Sequence, residues 1–205
     1  MSLRHFALAV LALGCVRPAA GQSPPQSRPL PQGYGSLSQD DLSLRLGDDN
    51  LGIRFVPLDP RLMPLLARDA AQSLRSLLDS HKRAIDSVAS RAGVATPGIG
   101  LVSFFGQRPD VRFDPQTLTL LIRNRVFRPL GVIALSSRFN SQQLGVREQA
   151  SALYLFEEDI PVNDSFLLSY GVLTSQDWEQ KLPLLDRERA RVAARSRTEP
   201  IDTGR

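Results

Sequence analysis

His81 is the first residue to weigh, because the chain's other histidine, His5, lies in a stretch that reads as a leader. A Ser-His-Asp triad would need His81 as its base and a nucleophile on a Gly-x-Ser-x-Gly turn, which the sequence lacks. A zinc site built on two histidines has no second donor. His81 also falls on the apolar stripe of a helical segment, so its spacing predicts a packing residue with one ring nitrogen satisfied. Two acidic stretches come next. Glu157-Glu158-Asp159 with Asn163-Asp164, and Gly47-Asp48-Asp49-Asn50, could each gather oxygen ligands for calcium. Neither has the spaced loop of an EF-hand, and both fall where turns are expected, which favour Asp and Asn for geometric reasons alone. Two acids brought together by a fold could serve a glycosidase. Nothing in the sequence selects which two.

Other fragments fail on context. Gly98-x-Gly100 opens a predicted strand and leads into no helix, so it cannot set a helix N-terminus against a phosphate. Ile201-Asp202-Thr203-Gly204 matches the aspartic-protease signature in letters, but lies at a polar chain end without the strands that bury such a dyad. Asn163-Asp164-Ser165 is a glycosylation sequon, relevant only to a eukaryotic source. Arg187, Arg189, Arg191 and Arg195 alternate with Asp186 and Glu188, as on a solvated, ion-paired helix. A lipid- or partner-facing surface there is the minor alternative. The sequence therefore nominates no catalytic residue, no cofactor and no metal site.

Charge excludes a further class. The formal balance is 25 basic against 21 acidic residues. Arg4 and Arg17 fall in the leader, so 23 cations face 21 anions beyond it, alternating in sign along the chain. A nucleic-acid surface needs cations gathered on one face.

The elements that would position any site begin after an export signal. Met1 to His5 is a short basic start, Phe6 to Leu13 an unbroken apolar run, and Pro18-Ala-Ala-Gly21 a small-residue end. That is the order of a secretory leader over 1–21, and the run is too short to span a bilayer. No later stretch reaches membrane length. Cys15 is the only cysteine, so no intramolecular disulfide can form. Leu11-Ala-Leu-Gly14-Cys15 resembles a degenerate bacterial lipobox, with Ala12 where Leu is preferred, and the resemblance implies lipidation of Cys15 as the alternative to cleavage near Ala20 or Gly21. Residues 22–36, rich in Pro, Gln, Ser and Gly, predict a flexible spacer.

A single globular domain is expected over 37–195, with a disordered tail at 196–205. Leu42, Leu44 and Leu46, then Leu51, Ile53 and Phe55, alternate around Gly47–Asn50 as a β-hairpin. Asp59-Pro60 reads as a helix start, with Pro64 as a kink and Asp69 capping a restart. Leu74, Leu78, His81, Ile85 and Val88 carry a helical period that Gly93 should end, giving a long amphipathic helix over about 60–92. The period then changes to two. Ile99 to Phe105 suits a central strand, Leu118 to Ile122 another, and Arg123-Asn-Arg125 a turn into Val126 to Leu135, where Pro129 implies an edge or bulge. Strands through Ala150–Phe156 and Phe166–Tyr170 follow. The aromatic residues, Phe104 and Phe105 among them, are expected in the core, with Trp178 anchoring a last helix. Thr174 or Ser175 should cap that helix, which runs over about 175–195 and breaks at Pro183.

The order of elements contains no β-α alternation, which disfavours Rossmann and barrel enzymes. The expected fold is α+β, mainly antiparallel sheet or sandwich. The expected role is an exported, periplasmic or extracellular, non-enzymatic binding or structural module whose partner is a protein or an envelope component. The alternatives are a carboxylate-based, calcium-dependent hydrolase and a lipid-anchored part of an outer-membrane assembly.

Overall fold

The computed structural model describes residues 30–198. The leader, Cys15, the first part of the spacer and the Asp202-Thr203-Gly204 motif lie outside the described residues. What is described is an α+β sandwich of antiparallel strands with one long helix and a C-terminal helix.

The predicted hairpin forms from β1 (Leu44–Gly47) and β2 (Leu51–Pro57). Asp48 closes it: its Oδ1 accepts the N–H groups of Asn50 and Leu51, each at 2.8 Å. Those two bonds hold the Asp48 carboxyl below the usual carboxylate range. The helix expected from residue 60 starts later. A 3-10 turn, Met63–Leu65, precedes α1 (Arg68–Ala92), and Pro64 sits inside that turn, where its missing N–H costs nothing. Asp59 caps no helix. Its carboxylate is instead gripped by Arg61, Nε to Oδ1 at 2.8 Å and Nη2 to Oδ2 at 2.6 Å. Gly93 ends α1 as expected, in the left-handed region at φ 69°.

Beyond α1 run β3 (Gly98–Gly106), β4 (Val111–Arg112), β5 (Leu118–Ile122) and β6 (Arg125–Phe127). Arg123 and Asn124 make the tight turn between the last two, both with positive φ, as a type I′ hairpin demands. The stretch expected as one strand from Val126 to Leu135 is two. Pro129 lies in the gap before β7 (Gly131–Ala134), where the chain leaves one sheet for the other. A short helix, α2 (Ser137–Ser141), and β8 (Gln143–Leu144) lead into β9 (Gln149–Phe156), β10 (Leu167–Tyr170) and β11 (Leu173–Ser175). Last comes α3 (Trp178–Thr198). The Ser175 hydroxyl accepts the Asp177 N–H just ahead of it, at 3.3 Å. The helix runs through Pro183 without a break. Proline there forfeits one bond, to the Glu179 carbonyl, close to the helix start, and the rest of the ladder is kept.

A five-stranded sheet in the order β1-β2-β3-β9-β7 faces a four-stranded one, β11-β10-β5-β6, with β4 and β8 as a small separate pair. As expected, β3 is central. Between the sheets lies the core, including a chain of rings in which Phe104 stacks on Phe113 at 4.4 Å and meets Tyr170 edge-on at 5.8 Å. Trp178 is fully buried against Phe166, so it does anchor the last helix.

The end of the stretch read as spacer belongs to this body. Leu30 and Tyr34 pack on the core, and Ser36 gives both its N–H and its hydroxyl to the buried Glu188 of α3, at 2.9 and 2.8 Å. Arg195 donates to the Tyr34 carbonyl at 2.7 Å. Residues 196–198, expected in the tail, are helical.

Candidate functional site

Register decides which side chains share the outer face of the five-stranded sheet. Antiparallel partners point the same way, so four rows can be read across it. Ile99, Leu155 and Gly131 form one, and Val56, Leu101, Leu153 and Ile133 the next. Helix α1 lies over these two. Val88 presses against Gly131 so closely that a β-carbon there would come within 2.5 Å of its methyl group, and Leu153 and Leu155 are wholly buried.

Among the described residues no helix lies over the remaining two rows. Arg45, Arg54, Ser103 and Ser151 make one; Gly47, Gly52, Phe105 and Gln149 make the other. The residue types change with the covering. Under α1 the row positions are aliphatic except Gly131, and beyond it they are cationic, hydroxylic or amide, with two glycines and the ring of Phe105. Ser103 and Ser151 share a hydrogen bond at 2.8 Å, and the Gln149 amide donates to both, at 3.2 and 2.9 Å. Arg54 reaches Asp40 at 2.8 Å and Arg45 reaches the same carboxylate at 3.5 Å. The Arg54 Nε is buried without a partner, so this row is not fully satisfied by its own chain.

Part of this ledge, Arg45, Arg54, Gly52 and Phe105, lines an open groove of about 710 Å³ together with Asp40 and Gln107. A second hollow of about 560 Å³ shares Asp40 and Arg45 with it and runs on to Asp177 and Lys181. Both lie within the volume range of small-molecule sites. The ledge was not visible as a site in the sequence. Phe105 was expected in the core, yet it stands half-buried on the outer face while Phe104, one residue earlier, fills the sandwich. Ser103, a single polar residue in an apolar strand, was the available signal.

The residues weighed for chemistry are not brought together. His81 is half-buried on α1, and its Nδ1 lies 3.0 Å from the Leu77 carbonyl and 3.0 Å from the Ser80 hydroxyl, as expected of a packing residue. Two of the four acids of the 157–164 loop are matched to arginines: Glu158 to Arg125 at 2.9 Å and Asp164 to Arg123 at 3.5 Å. Asn163 takes a bond from Arg189 at 2.6 Å. Among the described residues, no three His, Cys, Asp or Glu side chains form a group that could hold a metal. Asp159 borders a groove of about 550 Å³ with Asp59 and Arg61, but the Asp59 carboxylate is already taken by that guanidinium and by the Arg61 N–H. Gly98 and Gly100 have a packing reason instead of a phosphate one. A side chain on Gly98 would strike the Glu158 carbonyl, and one on Gly100 the ring of Phe55. Burial pushes the Tyr154 phenol far above its ordinary value, so it stays protonated near neutrality.

Along α3, Arg189 and Arg191 pair with Asp186 and Glu188, the ion-paired surface that the alternating charges implied. Among the described residues no helix is long and apolar enough to cross a membrane.

No protein-family model matches the chain, and no curated protein does. A crystal structure of a functionally unknown protein from Listeria monocytogenes EGD-e is similar at a TM-score of 0.31 and 9% identity, over 67% of this chain and 76% of that one. A likeness of that size assigns neither family nor activity.

Proposed function

We propose that this chain is an exported, non-enzymatic binding module of the cell envelope or the secreted fraction, and that the ledge of Arg45, Arg54, Ser103, Phe105 and Gln149 is its binding surface. One observation carries the binding part. The outer face of one sheet is aliphatic where α1 covers it and polar, glycine-floored and grooved where α1 does not. A sheet face needs a polar lining to meet water, but not a groove with a half-buried aromatic ring and a row left partly unsatisfied. Export rests on the n-, h- and c-region order of residues 1–21. Among the described residues His81 is bonded on its own helix and Glu158 and Asp164 pair with arginines, which favours a binding role over catalysis.

Two measurements test this. N-terminal sequencing of the natural product should find a start near Gln22, or a lipidated Cys15; Met1 retained on a cytosolic protein overturns the export part. For the binding part, pure protein is sedimented with washed insoluble envelope material. Wild type should pellet, and an Arg54→Ala, Phe105→Ala double variant of equal melting temperature should stay in solution. Equal pelleting of the two removes the ledge from the reading.

A further inference from the structure

We infer that the ledge takes a neutral, linear oligosaccharide, one sugar ring stacking on Phe105 and its hydroxyls bonding to Arg54, Asp40 and Gln107. This rests on the ledge being a binding surface at all and adds the class of ligand. Three features point the same way.

The first is the platform. Gly52 is the direct cross-strand partner of Phe105, and Gly47 is the partner of Gly52. Two successive positions beside the ring therefore carry no side chain of their own, and the Gln107 amide lies over Gly52, 3.3 Å from where its β-carbon would be, so a sugar on the ring meets that amide at once. The face of an aromatic ring is electron-rich, and the axial C–H bonds of a pyranose present weakly positive hydrogens to it. Phe105 is half-buried and lines the groove.

The second is the mixture of polar groups. A sugar hydroxyl both donates and accepts, so it is best met by planar groups of both kinds side by side. Arg54 supplies donors, Asp40 acceptors, and the Gln107 amide one of each. The charge balance is near even, Arg45 and Arg54 against Asp40, Asp48 and Asp49, which favours neither an anionic nor a cationic ligand. A peptide strand would look for an unpaired sheet edge, which here is β1, whereas Phe105 and Arg54 stand on β3 and β2, paired on both sides.

The third is shape. The groove and the hollow beside it share Asp40 and Arg45 in their linings, and the second runs on to Asp177 and Lys181. Continuity of that kind suits a chain of several residues over a single ring.

The test is an amide-NMR titration of the pure, leader-free protein with three soluble probes: chitotetraose, cellotetraose and maltotetraose. Tetra-aspartate and tetra-lysine peptides serve as charged comparators. At least one saccharide should shift Gly47, Gly52, Phe105 and Gln149 while leaving Leu153 and Ile133 in place, with a Kd below about 1 mM. Phe105→Leu, which keeps an apolar side chain but loses the ring face, should weaken it about tenfold, and Phe105→Tyr should restore it. Absence of a response to all three sugars overturns the inference, as does a response to a charged peptide alone. Shifts spread over α1 instead of the ledge also overturn it. If the sugars fail while the ledge variant still stays in solution in the sedimentation assay, only the ligand class has fallen. If both fail, the binding reading falls with it.

Discussion

The two halves of one sheet face, built from the same strands, have opposite jobs. On β9, Leu153 and Leu155 lie under α1 and are fully buried, while Gln149 and Ser151, on the same side of the same strand, are not. On β3 the residue types divide the same way between Leu101 and Ser103, although Ser103 is itself buried, bonded to Ser151 and Gln149. What separates them is the line along which a helix crosses the sheet, and the residue types follow that line. The covered half holds the fold together through apolar burial. The open half is held by hydrogen bonds among its own side chains, and little of the protein's stability rests on it.

Breaking the covered half should cost most. Leu153→Ala leaves a cavity between sheet and helix, and an expected loss of about 3 kcal/mol in denaturant unfolding sets it against Ser151→Ala, two residues away, at about 1 kcal/mol or less. Equal losses would erase the distinction. Gly131→Ala forces a methyl group against Val88, with an expected cost of about 1–3 kcal/mol. Val88→Ala in the same chain should recover part of it, and a double-mutant cycle without coupling would show that α1 does not press there.

Polar groups divide along the same principle, which sharpens the comparison. Glu188 is fully buried and holds Ser36, with Arg191 and Arg195 near it at 3.5 and 3.7 Å, so Glu188→Ala should cost about 1–3 kcal/mol and loosen residues 30–36 to proteolysis. Arg45→Ala on the ledge removes an exposed pair and should move stability by about 0.5 kcal/mol at most. The smallest effect belongs to Asp48. Its carboxyl is held down by the Leu51 and Asn50 N–H groups, so its contribution is complete above the ordinary carboxylate value and fades as pH falls through the depressed one. Asp48→Asn keeps the acceptor oxygen, and its unfolding curve should show a shallower acid limb than wild type with the neutral-pH plateau little changed.

Local chemistry was legible in the sequence. The hairpin around Asp48, the stripe from Leu74 to Val88, the stop at Gly93 and the turn at Arg123-Asn124 each depend on residues within a few positions of one another, and each is found. The misreadings also have local causes. Asp59-Pro60 carries a helix-start pattern, but Asp59 is drawn to Arg61, and Arg61 in turn to the Ile160 carbonyl far along the chain. Pro183 looks like a break, yet near a helix start it forfeits a single bond. Val126 to Leu135 reads as one strand because apolar content does not say which sheet a strand will join.

By itself, then, the sequence determined the antiparallel α+β character, the long helix and the hairpins, since periodicity and turn chemistry act over short range. Only the tertiary structure decided that Phe104 faces the sandwich core while Phe105 faces a groove, and that Ser36 closes on Glu188 across 152 positions. A period of two states that neighbours point to opposite faces; which face is buried, and how far along it a helix reaches, is set by packing between segments far apart in the chain.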